Sequence, residues 1–273
     1  MTRNGYEPAD GLDIEVEGPV LRLTLNRPGQ RNTLTDVSIA ALIQALERAA
    51  TDEDLRAVVL AGAGEDFCGG FDIVARNAGA DAQARPRTGS IQRRLPTQAN
   101  RLVPLMLELQ LPVVCAVRGW AVGIGAQLAV AADFTVAAAD AVFWYPFLRR
   151  GFTPDSGSTW LLPRAVGPAR ARELLMLDRK LSGTEAVEWG IALKAVEPDE
   201  LEAEAKELAG RLAAGPTVAL GLTKALLGAA PGHDLHRQLA DEAYAMELGS
   251  RSPDFREGMR AFVERRGPAF EGR

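Results

Sequence analysis

Three stretches of this sequence bring together residue types that can do chemistry. The first is Leu111 to Asp133, LPVVCAVRGWAVGIGAQLAVAAD, where an apolar β-branched run at Val113–Val117 is followed by Gly119, Gly123 and Gly125 and then by an alanine-rich segment. The run reads as a buried strand and the alanine-rich segment as a buried helix, so a strand passes through a glycine turn into a helix N-terminus. The first N–H groups of a helix lack intrahelical partners and sit at the positive end of its dipole, where they can hold an anion or a developing oxyanion. Glycines there leave that approach open; equally, they let a helix of small residues pack closely on a sheet. The second stretch, Val58-Val59-Leu60 followed by AGAGEDFCGGFDI, repeats the strand-then-glycine arrangement. The third is Thr153-Pro154-Asp155-Ser156-Gly157-Ser158. Asp155 is either an N-cap, a common use of Asp at a helix start, or a proton acceptor.

Other chemistries find little support. The two histidines, His233 and His236, lie in a late polar segment with no Cys or carboxylate cluster to complete a metal site, so no metal is expected. No GxSxG elbow is present. Cys68 and Cys115 stand in separate apolar contexts with no histidine beside them, which suits packing in a reducing compartment better than a disulfide framework. A formal charge of −5 with mixed signs offers no basic face to nucleic acid. The opening MTRNGYEPADGLD lacks an apolar signal core, and no run approaches the roughly 18 apolar residues of a membrane span. The expectation is a cytoplasmic protein without a nucleic-acid or membrane partner.

The elements that must position these residues follow from the pattern. At 273 residues and 47% hydrophobic, the chain can bury a large core. Residues 12–26 alternate as two strands turning at Glu17-Gly18-Pro19, and a polar loop, Asn26 to Asn32, follows. Thr35 is the expected N-cap of a helix from about Asp36 to Ala50, with Ile39, Leu42, Ile43 and Leu46 on one face. The stretch 75–101 holds six arginines and little apolar periodicity, and reads as a mobile loop leading into a helix that ends near Leu109. Further strands are expected at Phe134–Ala138, Ala141–Trp144 and Ala192–Val196. Between them, Pro154-Asp155 opens one short helix and Pro168 starts the next. From Asp199 onward the pattern is helical: 199–213, 217–228, 234–249 and 254–265. The division is an α/β core over 1–198 and a helical region over 199–273 that packs on the core or on a neighbouring subunit.

At this point a family resemblance emerges. LTLNRPGQRNTL, VVLAGAGEDFCGGFDI, PVVCAVRGWAVGIGAQLAVAADF, GFTPDSGSTWLLPRAVGPARARELLMLDRKLSGTEAVEWGIA and PDFREGMRAFVERRGPAF are similar, in order, to the successive motifs of the crotonase, or enoyl-CoA hydratase/isomerase, superfamily. The resemblance spans residues 12 to 270. It implies an α/β fold, a spiral of ββα units with a helical C-terminal trimerisation region, and a homotrimer or dimer of trimers. It also implies an acyl thioester of coenzyme A as substrate, with coenzyme A part of that substrate and no separate cofactor. Family members hold the thioester carbonyl with two backbone N–H groups, which motif alignment places on Phe71, in Gly69-Gly70-Phe71-Asp72, and Ile124, in Gly123-Ile124-Gly125. Such a donor, aimed at an enolate oxygen, contributes about 3 kcal/mol.

Departures from the family pattern bear on the reaction. The hydratases use two glutamates, and alignment puts Gln127 and Phe147 at those positions. A neutral amide is no base and a phenyl ring has no proton to give, which disfavours hydration. Asp155 falls where dienoyl-CoA isomerases, chlorobenzoyl-CoA dehalogenase and ring-1,2-epoxyphenylacetyl-CoA isomerases carry a catalytic aspartate, and PDSGSTWLLPR most resembles the last group. The resulting expectation is an acyl-CoA isomerase with Asp155 as its single base. Hydrolysis or dehalogenation with Asp155 as nucleophile, weak hydration, and a non-catalytic acyl-CoA-binding role are the alternatives. Trp144, Tyr145 and Phe147 either shape an aromatic acyl pocket or belong to the core, and Gly123 and Gln127 join them as substrate contacts. Arg27 and Arg31 either meet CoA phosphates or are solvated loop arginines. Gly69 and Asp72 stand beside them at the thioester site, Asp72 also serving as a structural acid, as does Asp133.

Overall fold

A computed structural model of the chain describes residues 5–72 and 87–273. The first part of the 75–101 stretch lies outside the described residues. The chain begins with β1 (Leu12–Glu17) and β2 (Val20–Leu25), paired antiparallel from Leu12↔Leu25 to Glu17↔Val20. Then come α1 (Asp36–Ala49), β3 (Ala57–Gly62), α2 (Ser90–Arg94), α3 (Leu102–Glu108), β4 (Val113–Val117), β5 (Trp120–Val122), α4 (Ile124–Ala131), β6 (Phe134–Ala138) and β7 (Val142–Trp144). The remainder is α5 (Ser158–Met176), β8 (Lys180–Ser182), α6 (Gly183–Glu188), β9 (Lys194–Val196), α7 (Leu201–Ala213), α8 (Thr217–Ala229), α9 (Leu235–Gly249) and α10 (Pro253–Glu264).

Six strands form one sheet in the order β1-β2-β3-β4-β6-β9, parallel after the first pair, and β5, β7 and β8 form a second, small sheet. β4 is buried along its whole length and β3 nearly so, as strands covered on both faces must be. Leucines of α1 (Leu42, Leu46) meet Leu23, Val58, Leu60 and Val113 of the sheet, with Leu102 and Met106 of α3 and Leu128 of α4 closing the layer. Thr35 caps α1 as its sequence predicts, its hydroxyl accepting from the Ser38 N–H while Ser38 reaches back to the Thr35 N–H.

Several expectations change. The glycine turn does not lead straight from β4 to the helix: Trp120–Val122, set between Gly119 and Gly123, first forms β5, which pairs in parallel with β7. Likewise β8 and α6 were not foreseen. The helix after Asp155 starts only at Ser158; its break falls where the sequence puts it, at Gly167 with the non-helical φ 79° and ψ 161°, and Pro168 opens the second helical stretch to Met176. Described residues of the 87–101 segment form short helical turns rather than plain loop. Within the helical region, α7 packs on β2, β3, β4 and β6 and so completes the core. One tie between the two is Arg56, next to β3, which donates to the carbonyls of Gly215 (2.5 Å) and Phe270 (3.2 Å).

Candidate active site

Segment 67–71 and strand β5 run side by side. The Phe67 N–H donates to the Arg118 carbonyl (2.8 Å), the Cys68 N–H to that of Trp120 (2.9 Å), and the Val122 N–H returns to the Cys68 carbonyl (2.9 Å). Cys68 thus pairs in parallel with Ala121. Further along, Gly70 lies against β5, where a Cβ would stand 3.0 Å from the Val122 carbonyl oxygen. From the other side the loop is held by Leu34, whose N–H donates to Gly70 (2.8 Å) and whose carbonyl accepts from Asp72 (2.9 Å). Ile124 is the first residue of α4, so its N–H has no carbonyl one turn earlier to bond.

Two glycines make this junction possible. Gly123 takes φ 55°, ψ −118° at the N-cap, a conformation costly for any other residue, and no side chain caps the helix there. At Gly125 a Cβ would stand 2.5 Å from the Cys68 carbonyl oxygen and 2.7 Å from its Cβ. Only a residue without a side chain lets the two segments approach this closely. Cys68 itself is fully buried, and burial pushes its thiol pKa up to about 12, so it packs rather than reacts.

Asp155 is not a helix cap. Helix α5 takes Gly157 as its N-cap, φ 78°, with no side chain bonded to its first N–H groups. What the helix start uses is the Asp155 backbone carbonyl, which accepts from the Ser158 N–H (3.0 Å) and hydroxyl (2.7 Å). Its carboxylate Oδ1 instead accepts the Ser156 hydroxyl at 2.8 Å. Partial burial raises the carboxyl pKa above the ordinary aspartate range, and the Ser156 hydrogen bond offsets part of that rise. The loop reaches the layer that holds Ile124: α5 packs on α4, and Gly157 lies against Val103 of α3.

The other candidates spread around this junction. Phe147 is half-buried, its ring tip 3.9 Å from where a Cβ on Gly123 would be. Gln127, one turn into α4, is completely buried, and neither amide atom has a hydrogen-bond partner; the buried Tyr145 hydroxyl also lacks one. Trp144 turns to the other side of its strand, donating Nε1–H to Asp178 (2.7 Å) and tilting against Trp120 at 5.8 Å between ring centres. Lys180 stands over both rings. Neither Asp178, in the turn before β8, nor Lys180, at the start of that strand, is marked by a sequence pattern.

The loop charges divide. Arg27 donates to Asp72 (3.1 Å) and to the Thr33 carbonyl (2.8 Å), a nearly buried tie that favours the structural reading of both Arg27 and Asp72. Arg31 is exposed, 3.6 Å from Asp66 and stacked over Trp120, while its carbonyl accepts from the Gly69 N–H. Asp133 accepts from the Val113 N–H (2.7 Å) and Lys224 (2.6 Å), which joins α8 to the core. Burial raises the Asp133 pKa and lowers that of Lys224, each partner partly offsetting the shift of the other. Among the described residues no group of three or more metal-ligating side chains comes together.

The chain is similar to known proteins along nearly its whole length. A family model described as enoyl-CoA hydratase/isomerase matches residues 15–273. The chain is 40% identical over 258 residues to the 1,2-epoxyphenylacetyl-CoA isomerase of Escherichia coli K12, covering 94% of this chain and 97% of that protein. It is also 32% identical to the crotonyl-CoA hydratase of Syntrophomonas wolfei, over 96% and 98% of the two chains. Among solved structures, the enoyl-CoA hydratase of Bacillus anthracis superposes with a TM-score of 0.88 at 30% identity, covering 96% of this chain and all of that one.

Proposed function

The chain belongs to the enoyl-CoA hydratase/isomerase family, with its crotonase fold, and from that premise we propose that it is an acyl-CoA isomerase in which Asp155 moves a proton between two carbons. Enzymes of this family act on acyl-CoA thioesters, and what this site adds is the choice of reaction. In the proposed mechanism the backbone N–H groups of Phe71 and Ile124 take the thioester oxygen as it becomes an enolate, each contributing about 3 kcal/mol. Asp155 removes a proton from one carbon and returns it to another, which gives double-bond migration or the rearrangement of an epoxide-bearing aromatic acyl group. A burial-raised pKa brings the carboxylate nearer the working pH, where a base is most effective.

The observation that carries this reading is the Asp155 carboxylate itself: free of cap duty, bonded to one serine, and acted on by no charged side chain among the described residues. At the positions of the two hydratase glutamates stand Gln127 and Phe147, which cannot shuttle a proton. Support for an aromatic substrate comes from the Phe147 ring next to Gly123 and from the isomerase relative. The exposure of Arg31, against the nearly buried Arg27, supports it as the arginine that meets a CoA phosphate. No cofactor beyond the CoA of the substrate enters. The exposed apolar residues of α9 and α10 support a trimer or pair of trimers. No single described helix is long and apolar enough to cross a membrane, and a cytoplasmic location belongs to the same proposal.

Crotonyl-CoA tests the choice of reaction. The expected kcat/KM for its hydration is below roughly 10⁴ M⁻¹s⁻¹, under the range of efficient enzymes. A rate above that value, followed as loss of the enoyl-thioester absorbance, overturns the isomerase assignment.

A further inference from the structure

We propose that Ser156 is a positioning residue: its hydroxyl fixes the Asp155 carboxylate in the one orientation from which it can take a proton. The inference rests on the reading of Asp155 as the base.

Three observations converge on Ser156. Its hydroxyl donates to Asp155 Oδ1 at 2.8 Å, and no other hydrogen bond to that carboxylate is described. The residue is 4% exposed although Asp155 and Gly157 on either side are exposed, so its hydroxyl is screened from water while the carboxylate it holds stays open to a substrate. Its backbone sits at φ 52°, followed by Gly157 at φ 78°. Two successive left-handed residues are what the turn needs, and glycine meets that need at both positions without strain. A serine kept at the first of them therefore carries a conformational cost that the turn does not require. The hydroxyl is what a glycine would lack.

The hydrogen bond acts on two properties. It removes a rotational freedom of the carboxylate, which otherwise swings about two side-chain bonds, and a base must be held close to the proton it takes. Because the hydroxyl donates to the charged form, it also opposes the rise in pKa that burial causes. Charged neighbours do not share this task. Arg149 is paired with Asp178, Arg164 donates to the Trp160 carbonyl, Arg150 does not shift the carboxyl, α4 carries no ionisable residue, and α3 carries only Glu108.

Ser156→Gly separates a positioning role from a structural one, because it removes the hydroxyl and relieves the strained backbone together. With 3-hexenoyl-CoA as probe, followed by the absorbance of the conjugated 2-enoyl thioester, kcat is expected to fall about tenfold with KM within twofold of wild type. The acidic limb of the pH profile of kcat/KM should move up by about one pH unit, the size expected when a charge-assisted hydrogen bond is lost. The melting temperature should hold or rise. Ser156→Ala should show the same limb, and Ser156→Cys, which keeps a weak donor, an intermediate one. An unmoved limb with unchanged kcat, or a loss of activity that follows a fall in melting temperature, makes Ser156 a turn residue and overturns the proposal. Asp155→Asn run in parallel tells this failure from that of its premise. If that variant still isomerises the probe, or if wild type neither isomerises it nor exchanges the α-protons of phenylacetyl-CoA with deuterated water, Asp155 is not the base and both readings fall.

Discussion

Helix α4 and helix α9 are nearly opposite solutions to the same problem of covering an apolar surface. Seven of the eight residues of α4 are buried, and the chain closes over it on every side. None of the fifteen residues of α9 is buried, and Leu235, Leu239, Tyr244, Met246 and Leu248 stay exposed. The first helix is finished by its own chain, so its N-terminus can be held by backbone contacts alone, and in the proposed mechanism its first N–H works with that of Phe71. The second is unfinished. Chemistry belongs to the rigid, self-sufficient region, whereas the exposed one fits association with further copies of the chain.

The largest effect should come from disturbing the finished region. Gly125→Val places a branched side chain against the Cys68 backbone and should cost about 3 kcal/mol, read as a lower urea midpoint, together with loss of acyl-CoA binding. A variant of wild-type stability would show that the junction is looser than its packing implies.

A middle effect is expected where the two regions join. Lys224→Met leaves Asp133 without its cation and should cost about 2 kcal/mol near neutral pH, less than for a fully enclosed pair because both groups keep some exposure. Burial already raises the Asp133 pKa in the presence of Lys224, and the variant raises it further. Below the unfolded pKa the carboxyl is protonated in both states and carries no penalty. As pH rises through the unfolded pKa toward the raised folded one, only the unfolded chain gains by ionising, so stability falls and then levels off. Chemical denaturation at several pH values should therefore find the variant closest to wild type in acid; an equal deficit at every pH contradicts this account.

The smallest effect on the fold should come from the unfinished region. Leu239→Glu with Met246→Glu should leave the circular dichroism spectrum in place and shift the unfolding free energy of the protomer by no more than about 0.5 kcal/mol. Light scattering should find the wild-type mass of a trimer or hexamer reduced. A monomeric wild type at micromolar concentration removes the contrast with α4 altogether.

The sequence made the finished region easier to read than the site details. Val113–Val117 and the alanine-rich run after Gly125 announce a buried strand and helix because nothing polar interrupts them, and Thr35 announces a helix start by its side-chain chemistry. Glu17-Gly18-Pro19 marks its hairpin equally well. Strands β5 and β8 escape because neither stands out as an apolar run, Trp120–Val122 being set between glycines and Lys180–Ser182 holding one apolar residue, and the residues they position, Lys180 among them, escape with them. Asp155 shows a different limit: before a helix, a cap and a base are spelled with the same letter. Only the geometry, with Gly157 at the cap and the Ser156 hydroxyl on the carboxylate, removes the cap and leaves the base as the proposal. The left-handed backbone of Ser156 has no sequence signal at all, since serine rarely adopts it.

Turnover by Asp155→Asn tests the central claim most directly. Asn keeps the size of the side chain and still accepts from the Ser156 hydroxyl, but cannot take the proton. With 3-hexenoyl-CoA, isomerisation should fall by at least about 10²-fold, the usual contribution of a general base, while melting temperature and acyl-CoA affinity stay near wild type because the oxyanion donors are backbone. An Asp155→Asn variant that isomerises as fast as wild type would contradict the account.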